Sequence, residues 1–307
     1  MKIATWNVNG IRARETQFLD LVDREHPDVV CLQEIKAATA QVPPALCEMQ
    51  GYWCYWHGER AYSGVGLHVR RDAFPGGPAA PRFGHPPFDH ENRIVTAEVG
   101  NLIVASIYVP NGGKDFPAKM RFLEAMDGWV ADVHAQRREL VLCGDLNVAR
   151  TERDVHPKER KPNLIGQLPE ERELIERILS RGLVDVGRAL DPDNEGLFTW
   201  WAPWRNMRQR NIGWRLDYVL ASEPLFTRGA SCQVLAEFGT SDHAPVVATF
   251  GEKGGWGMDQ RDAGITTDRE ELTKIEREHQ AYEEEMKKAE AERKEAEEAD
   301  RRRRDGE

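Results

Sequence analysis

Short apolar runs of strand length alternate along the chain with longer stretches whose apolar residues fall three and four apart. The strand-like runs are KIATWN near the start, DVVCLQE from residue 28, SGVGLHVR from 63, RIVTAEV from 93, LIVASIYVP from 102, ELVLCGDLN from 139, RLDYVLAS from 215 and PVVATF from 245. They are rich in Val, Ile and Tyr and bounded by Gly, Pro or Asn. Helical spacing covers 14–24, 118–135 and 169–181, where LPEERELIERILSRG carries one apolar stripe and stops at Gly182. Strands interleaved with helices predict an α/β chain. The Pro- and Gly-rich stretch 74–89 reads as a surface connection, and no internal repeat is visible.

The pattern ends at Phe250, so residues 1–250 read as one folded unit. Residues 251–266, opening GEKGGWG, read as a flexible linker. Residues 267–307 read as a charged helical or disordered tail, with Thr267 and Glu270 spaced as a capping box and Glu-to-Lys pairs four apart. A solvated single helix fits better than a coiled coil, because Leu272, Ile275, Tyr282 and Met286 hold a heptad only briefly. Such a tail is a place for a protein partner.

At 307 residues and 40% apolar content the chain can bury a real core. The formal charge of −10 is uneven: residues 251–307 hold 19 of the 52 acids and 13 of the 42 bases. The remainder is still net acidic, so any nucleic-acid contact needs a local basic patch. Five cysteines without metal-ligand spacing predict free thiols, a reducing compartment and a cytoplasmic protein. The N-terminus has no long apolar stretch, and no run reaches the ~20 apolar residues of a membrane span.

Several strand candidates end in an acid or amide: Asn7 and Asn9, Gln33 and Glu34, Asp145 and Asn147, while Asp242 and His243 precede the last strand. Each alone has an ordinary reading, since Asn-Gly is a turn dipeptide, Glu34 could face solvent, and GDLN could be a tight turn. Met at one rim of a sheet, they form an oxygen-rich set suited to a hard cation such as Mg²⁺ or Mn²⁺. Residues 198–218 interleave Trp200, Trp201, Trp204 and Trp214 with Arg205, Arg208, Arg210 and Arg215, a composition that suits stacking on and holding a nucleic acid. Trp201 is assigned to the core.

The motifs WNVNG, LQEIK, YVPNG, GDLNVA, GWRLDYVLAS and SDHAPV, in this order, resemble the exonuclease III family of apurinic/apyrimidinic endonucleases, within the endonuclease/exonuclease/phosphatase superfamily. The resemblance spans residues 1 to 250 and implies a two-sheet β-sandwich flanked by helices, a four-layer arrangement. It implies hydrolysis of the phosphodiester 5′ to abasic sites in duplex DNA by a monomer using Mg²⁺ (or Mn²⁺), with 3′-to-5′ exonuclease and 3′-phosphatase activity on blocked ends. Glu34 is then the principal metal ligand with Asn7 and Asp242 nearby, Asp145 and Asn147 a second position, and His243 beside them. Asp145 would activate water, Asn147 and Tyr108 would contact the phosphate, and Asp217 would hold His243 protonated. Trp200, Trp214 and Leu216 would line a pocket for a baseless sugar. Trp204 and Arg205 would enter the duplex, and Arg93, Asn111, Lys114, Asn163 and Arg208 would touch the strand. Two departures stand out: Asn9 replaces an aspartate, and Trp204 a methionine. The competing readings are a phosphatase of the same superfamily acting on a non-DNA ester, and a DNA-binding scaffold without catalysis.

Overall fold

Strands that are apolar on both faces need cover on both faces, and the chain supplies it by stacking two sheets and flanking each with helices. The structure is a computed structural model that describes residues 1–59, 62–74 and 80–251. In chain order the elements are β1 (Lys2–Asn7), α1 (Glu15–Glu25), β2 (Val29–Gln33), α2 (Pro44–Cys47), β3 (Tyr52–Glu59), β4 (Tyr62–Arg70), β5 (Arg82–Gly84), β6 (Ile94–Val99), β7 (Leu102–Tyr108), α3 (Phe116–Ala135), β8 (Glu139–Asp145), α4 (Pro169–Leu179), β9 (Leu183–Asp185), α5 (Val186–Leu190), β10 (Asp217–Ser222), α6 (Glu223–Thr227), β11 (Ala230–Val234) and β12 (Val246–Phe250).

They form two six-stranded mixed sheets, ordered β11-β12-β1-β2-β4-β3 and β5-β6-β7-β8-β10-β9. Between the sheets lie Ile3, Cys31 and Leu67 from one and Val104, Val141 and Val219 from the other. The period of two sends Trp6 of β1 the opposite way from Ile3, into a layer with Phe18 and Leu21 of α1 and Leu46 of α2. On the far face of the second sheet, Ile107 and Leu142 pack on Leu123 and Met126 of α3 and Ile175 and Ile178 of α4. The expected four-layer sandwich is therefore the observed fold.

Four strands go beyond the sequence reading. The edge strand β3 alternates buried and half-buried residues, as a one-sided strand should. The short strand β5 lies inside 74–89, which had read as pure connection. The others are β9, only three residues long, and β11, which is partly exposed. Helix α3 starts at Phe116 because Asp115 Oδ1 accepts from Ala118 N at 2.8 Å. The five cysteines are all free. Among the described residues no helix is long and apolar enough to cross a membrane. The expected linker (251–266, apart from Gly251) and tail (267–307) lie outside the described residues.

The connectivity gathers strand ends. Pairs β1·β2 and β7·β8 are parallel, so Asn7, Gln33, Tyr108 and Asp145 are reached at carboxyl ends of neighbouring strands. Strand β10 runs antiparallel to β8 and begins there, with Asp217 opposite Asp145. Strand β12 runs antiparallel to β1, which brings the loop before it beside Asn7.

Candidate active site

The two sheets are tied together at this rim by polar side chains. Asn7 Nδ2 of the first sheet donates to Asp145 Oδ2 of the second at 2.9 Å. One layer deeper, Gln33 Nε2 donates to Thr5 Oγ1 at 3.0 Å and to Ser106 Oγ at 3.1 Å. Within the second sheet, the neighbouring strand explains the glycine of GDLN: a Cβ on Gly144, at φ 143°, would stand 2.0 Å from the Ile107 carbonyl oxygen of β7.

Asp145 is 1% exposed. Its Oδ1 accepts from Asn147 N at 2.9 Å. Asn147 lies in the turn that follows the last residue of β8, Asp145. It sits at φ 51°, a left-handed position that Asn tolerates. The turn directs Asn147 Nδ2 to Val109 O at 2.9 Å and lets Oδ1 accept from Asn111 Nδ2 at 3.2 Å.

His243 Nδ1 lies 2.9 Å from Asp217 Oδ2, and its Nε2 lies 3.8 Å from Asp145 Oδ2. Burial alone would lower this imidazole, but the charges of Asp217 and Asp145, the hydrogen bond to Asp217 and the charge of Asp242 lift it to about 10. It is therefore a protonated donor at neutral pH. Its Nδ1 is taken up by Asp217, so Nε2 is the ring atom that faces the rim beside Asp145. Burial pushes Asp145 up, the His243 charge opposes this, and Asp217 adds to it; the result is a carboxyl well above the usual range. Burial, with the charges of Glu34 and Asp145, also drives the Tyr108 phenol upward against the pull of Arg93, so Tyr108 keeps its proton.

The loop carrying Asp242 and His243 is anchored at both ends of the pair. Ser241 Oγ donates to Asn7 O at 2.8 Å, and Trp6 Nε1 donates to His243 O at 3.1 Å. Asp242 accepts from Asn9 Nδ2 at 2.7 Å and from Trp200 Nε1 at 3.0 Å. Burial would lift Asp242, but the His243 charge and these two hydrogen bonds outweigh it and hold the carboxyl below its ordinary value. Asn9 Oδ1 in turn accepts from Lys36 Nζ at 2.6 Å, and Lys36 pairs with Glu34 at 2.8 Å. Glu34 and Lys36 hold left-handed backbone at φ 54° and 50°, strain of the kind that persists where geometry matters. Glu34, Asp145, Asp217 and Asp242 thus meet at one rim, faced by His243 and Lys36. With oxygen donors and no thiolate, Glu34, Asn7, Asp242 and Asp145 fit a hard divalent cation.

Beside this rim, Trp214 and Leu216 pack with Ala149 and Val155, and Trp200 closes edge-on against Trp214 at 5.9 Å. Trp214 Nε1 is buried with no hydrogen-bond partner among the described residues. A Cβ on Gly213 would meet Trp200 O at 2.4 Å, so the tight GWR turn that builds this wall requires glycine. Trp201 is 2% exposed, in the core as expected. Asn111, Lys114, Asn163, Arg205 and Arg210 are exposed, and Trp204 stands out at 59%.

Three arginines expected at the DNA are occupied elsewhere. Arg93 is 3% exposed, bonds Tyr62 Oη at 3.1 Å and lies 5.0 Å over the Tyr108 ring. It pairs with Glu91 at 2.9 Å and supports the tyrosine ring. Arg208 spends its donors on the carbonyls of Ala236 (2.7 Å), Phe238 (2.8 Å) and Ser241 (2.7 Å), bracing the Asp242/His243 loop. Arg215 is buried against Asp154 and Asp185, each at 2.7 Å. The sequence reading also missed a buried pair. Lys119 Nζ lies 2.5 Å from Glu171 Oε1 and donates to Asn147 O at 2.7 Å and Asn111 O at 3.3 Å. A lysine on an otherwise apolar helical face was the signal available.

Residues 4–243 match the Endonuclease/Exonuclease/phosphatase family. The exodeoxyribonuclease of Bacillus subtilis (strain 168) is 35% identical over 251 residues, covering 80% of this chain and 98% of that protein. An AP endonuclease from Archaeoglobus fulgidus superposes with a TM-score of 0.73 at 28% identity, covering 81% and 99% of the two chains. The 3′ phosphatase NExo from Neisseria, solved bound to a product DNA hairpin, gives a TM-score of 0.73 at 31% identity, covering 82% and 100%. With its six ordered motifs brought to one rim of the same sandwich, this chain is a nuclease of the Endonuclease/Exonuclease/phosphatase family, in the exonuclease III branch that holds the AP endonucleases.

Proposed function

We propose that this chain is a divalent-metal-dependent DNA repair nuclease that cuts the phosphodiester 5′ to an abasic site in duplex DNA and also removes phosphate from blocked 3′ ends. The observation that carries this reading is a buried carboxylate, Asp145, placed between an Asp217–His243 pair and an oxygen-rich rim, with the Trp214 and Leu216 wall alongside.

Hydrolysis needs a proton acceptor for water and positive or donor groups for the charge growing on phosphate. Mg²⁺ held by Glu34, with Asn7 and Asp242 beside it, would supply positive charge to the phosphate oxygens. Asp145 is the acceptor for the proton of the attacking water. Its position is fixed by Asn7 Nδ2 and Asn147 N. His243, charged by its pairing with Asp217, donates from Nε2 to a non-bridging oxygen. Tyr108, kept protonated by its surroundings, is a second donor. The buried Nε1–H of Trp214 is a donor at an apolar wall that matches a sugar lacking its base, and extrusion is cheapest where no base pair is lost.

The test is an end-labelled duplex with a single abasic site, incubated with and without EDTA, next to a duplex bearing a 3′ phosphate. Asp145→Asn, Asp217→Asn and His243→Ala should each lower turnover by about 100-fold or more with folding intact. Near-normal activity in all three, or incision untouched by EDTA, would overturn the proposal. Activity on inositol phosphates with none on the abasic duplex would favour the phosphatase reading.

A further inference from the structure

A second constellation of ligating side chains shares no residue with the catalytic rim. His57 near the end of β3, His85 just after β5, and Asp89 four residues on each offer one ligand atom, and the three lie within 4.8 Å of one another. His57 Nε2 stands 2.7 Å from Asp89 Oδ2, and His85 Nδ1 stands 3.8 Å from the same oxygen. The two imidazoles stack at 3.8 Å between centroids. Their side chains are 23% and 28% exposed, whereas that of Asp89 is 3% exposed.

We propose that His57, His85 and Asp89 form a second metal site, one that takes a borderline divalent transition ion, Zn²⁺ foremost, in place of the hard cation of the catalytic rim. The donor set argues for this: two imidazole nitrogens and one carboxylate oxygen suit Zn²⁺, Co²⁺ or Ni²⁺, whereas the all-oxygen rim suits Mg²⁺. Three protein ligands with half-exposed rings leave room for water to complete a four-coordinate shell.

The supporting shell is already in place. Asp89 Oδ1 accepts from Arg93 N at 2.8 Å, which fixes the carboxylate and leaves Oδ2 toward the histidines. His85 is held by Ile94 O and by Tyr55 Oη, each at 3.1 Å from one ring nitrogen, so binding exchanges one of these bonds for the ion. Backbone carbonyls and carboxylates of this kind orient ligating histidines in metal sites. The strand contributes as well: the β3·β4 register shifts between His57 and Glu59, and such irregularities re-aim a side chain at a strand end. Tetrahedral Zn²⁺ places its donors roughly 3.3–3.5 Å apart, so the half-exposed rings need to move by about an ångström. Through Asp89 and Arg93 the site abuts the ring of Tyr108, so an ion here would clamp β3 and the segment before β6 next to the active site.

The experiment uses the full chain stripped with EDTA and returned to excess Mg²⁺ to fill the catalytic rim. Co²⁺ is titrated and its visible absorption read, then displaced with Zn²⁺, and Tm is followed in parallel. The expected result is one Co²⁺ per chain with the absorption of a low-coordinate nitrogen-ligated ion, and a rise in Tm of roughly 5–10 °C at Zn²⁺ 100-fold above Kd. His57→Ala and His85→Ala should each weaken uptake by about 10- to 100-fold while leaving Mg²⁺-dependent cleavage of the abasic duplex unchanged. His57→Gln and His85→Gln provide the same reading if an alanine variant fails to fold. No Co²⁺ uptake by the unaltered chain, or undiminished uptake after loss of both histidines, would overturn the assignment. Uptake abolished by Asp145→Asn would place the ion at the catalytic rim and overturn it as well.

Discussion

Replacing Lys119 with Met tests whether a buried charge pair beneath the active site positions it. Lys119 and Glu171 are both fully buried, with Nζ 2.5 Å from Oε1. Burial pulls the ammonium below its usual pKa, against the opposing charge and hydrogen bond of Glu171. Met keeps an unbranched side chain, one atom shorter, and removes the charge and the donors. Glu171 is left unpaired, although its Oε2 still accepts from Gly166 N at 2.6 Å and Leu168 N at 3.1 Å. Breaking a buried pair from one side costs about 3–5 kcal/mol. For a domain of this size that is a fall in Tm of roughly 6–20 °C. The same substitution releases the Asn147 carbonyl, held at 2.7 Å, and so loosens the left-handed turn whose amide aims Asp145. A misplacement of about 1 Å costs on the order of 100-fold in rate, so kcat should fall about 10- to 100-fold with KM little changed. The double variant Lys119→Met/Glu171→Gln removes both charges. It should regain about 2 kcal/mol or more of stability but not turnover, because the Asn147 anchor is still missing. Urea melts and kinetics on an abasic duplex, measured on the same preparations, separate the two effects. A single variant within about 1 kcal/mol of the parent, or a double variant no more stable than the single, would refute the reasoning.

Three further outcomes are expected. Burial would raise Asp154, but Arg215 and Arg188 hold it down at about 2. The folded value is below the unfolded ~3.9, so the pairing contributes roughly 2–3 kcal/mol above pH ~4 that is lost as pH falls toward 2. Chemical denaturation should show Asp154→Asn less stable at pH 6 and converging with the parent near pH 2, and a gap that ignores pH would contradict this. Gly144→Ala should cost roughly 2 kcal/mol or more in a denaturant melt, since its Cβ would stand 2.0 Å from a backbone oxygen; a neutral substitution would show that the strands part easily. Arg208→Met should lower kcat by about 10-fold through the Asp242/His243 loop while leaving the salt dependence of DNA binding intact, whereas an arginine on phosphate would show the opposite split.

Much of the fold was legible because its strands are apolar on both faces and its long helices are periodic. The central strands β1, β2, β4, β6, β7, β8, β10 and β12 all coincide with runs visible in the sequence. Edge strands were harder. The three residues of β5 and of β9 are too few to show a period, and β11 alternates without strong apolarity. The catalytic rim was legible for a related reason: polar residues that end an apolar strand have few ways to be satisfied except with one another. Asn7, Glu34, Asp145, Asp217 and His243 do meet.

What the sequence determined by itself was the eight central strands, the polar residues at their tips and, through six ordered motifs, the family. What only the tertiary structure decided was the work of each charge. Arg208 and Arg215 look alike in sequence to the exposed Arg205 and Arg210, yet each finds acceptors far away along the chain: the carbonyls of 236–241, and Asp154 with Asp185. Lys119 likewise meets Glu171 only because α3 and α4 pack on the same sheet face. A charge turns inward only when a partner meets it there, because burying it alone costs more than the fold can spare. That partner is set by packing between remote segments, which local spacing does not encode.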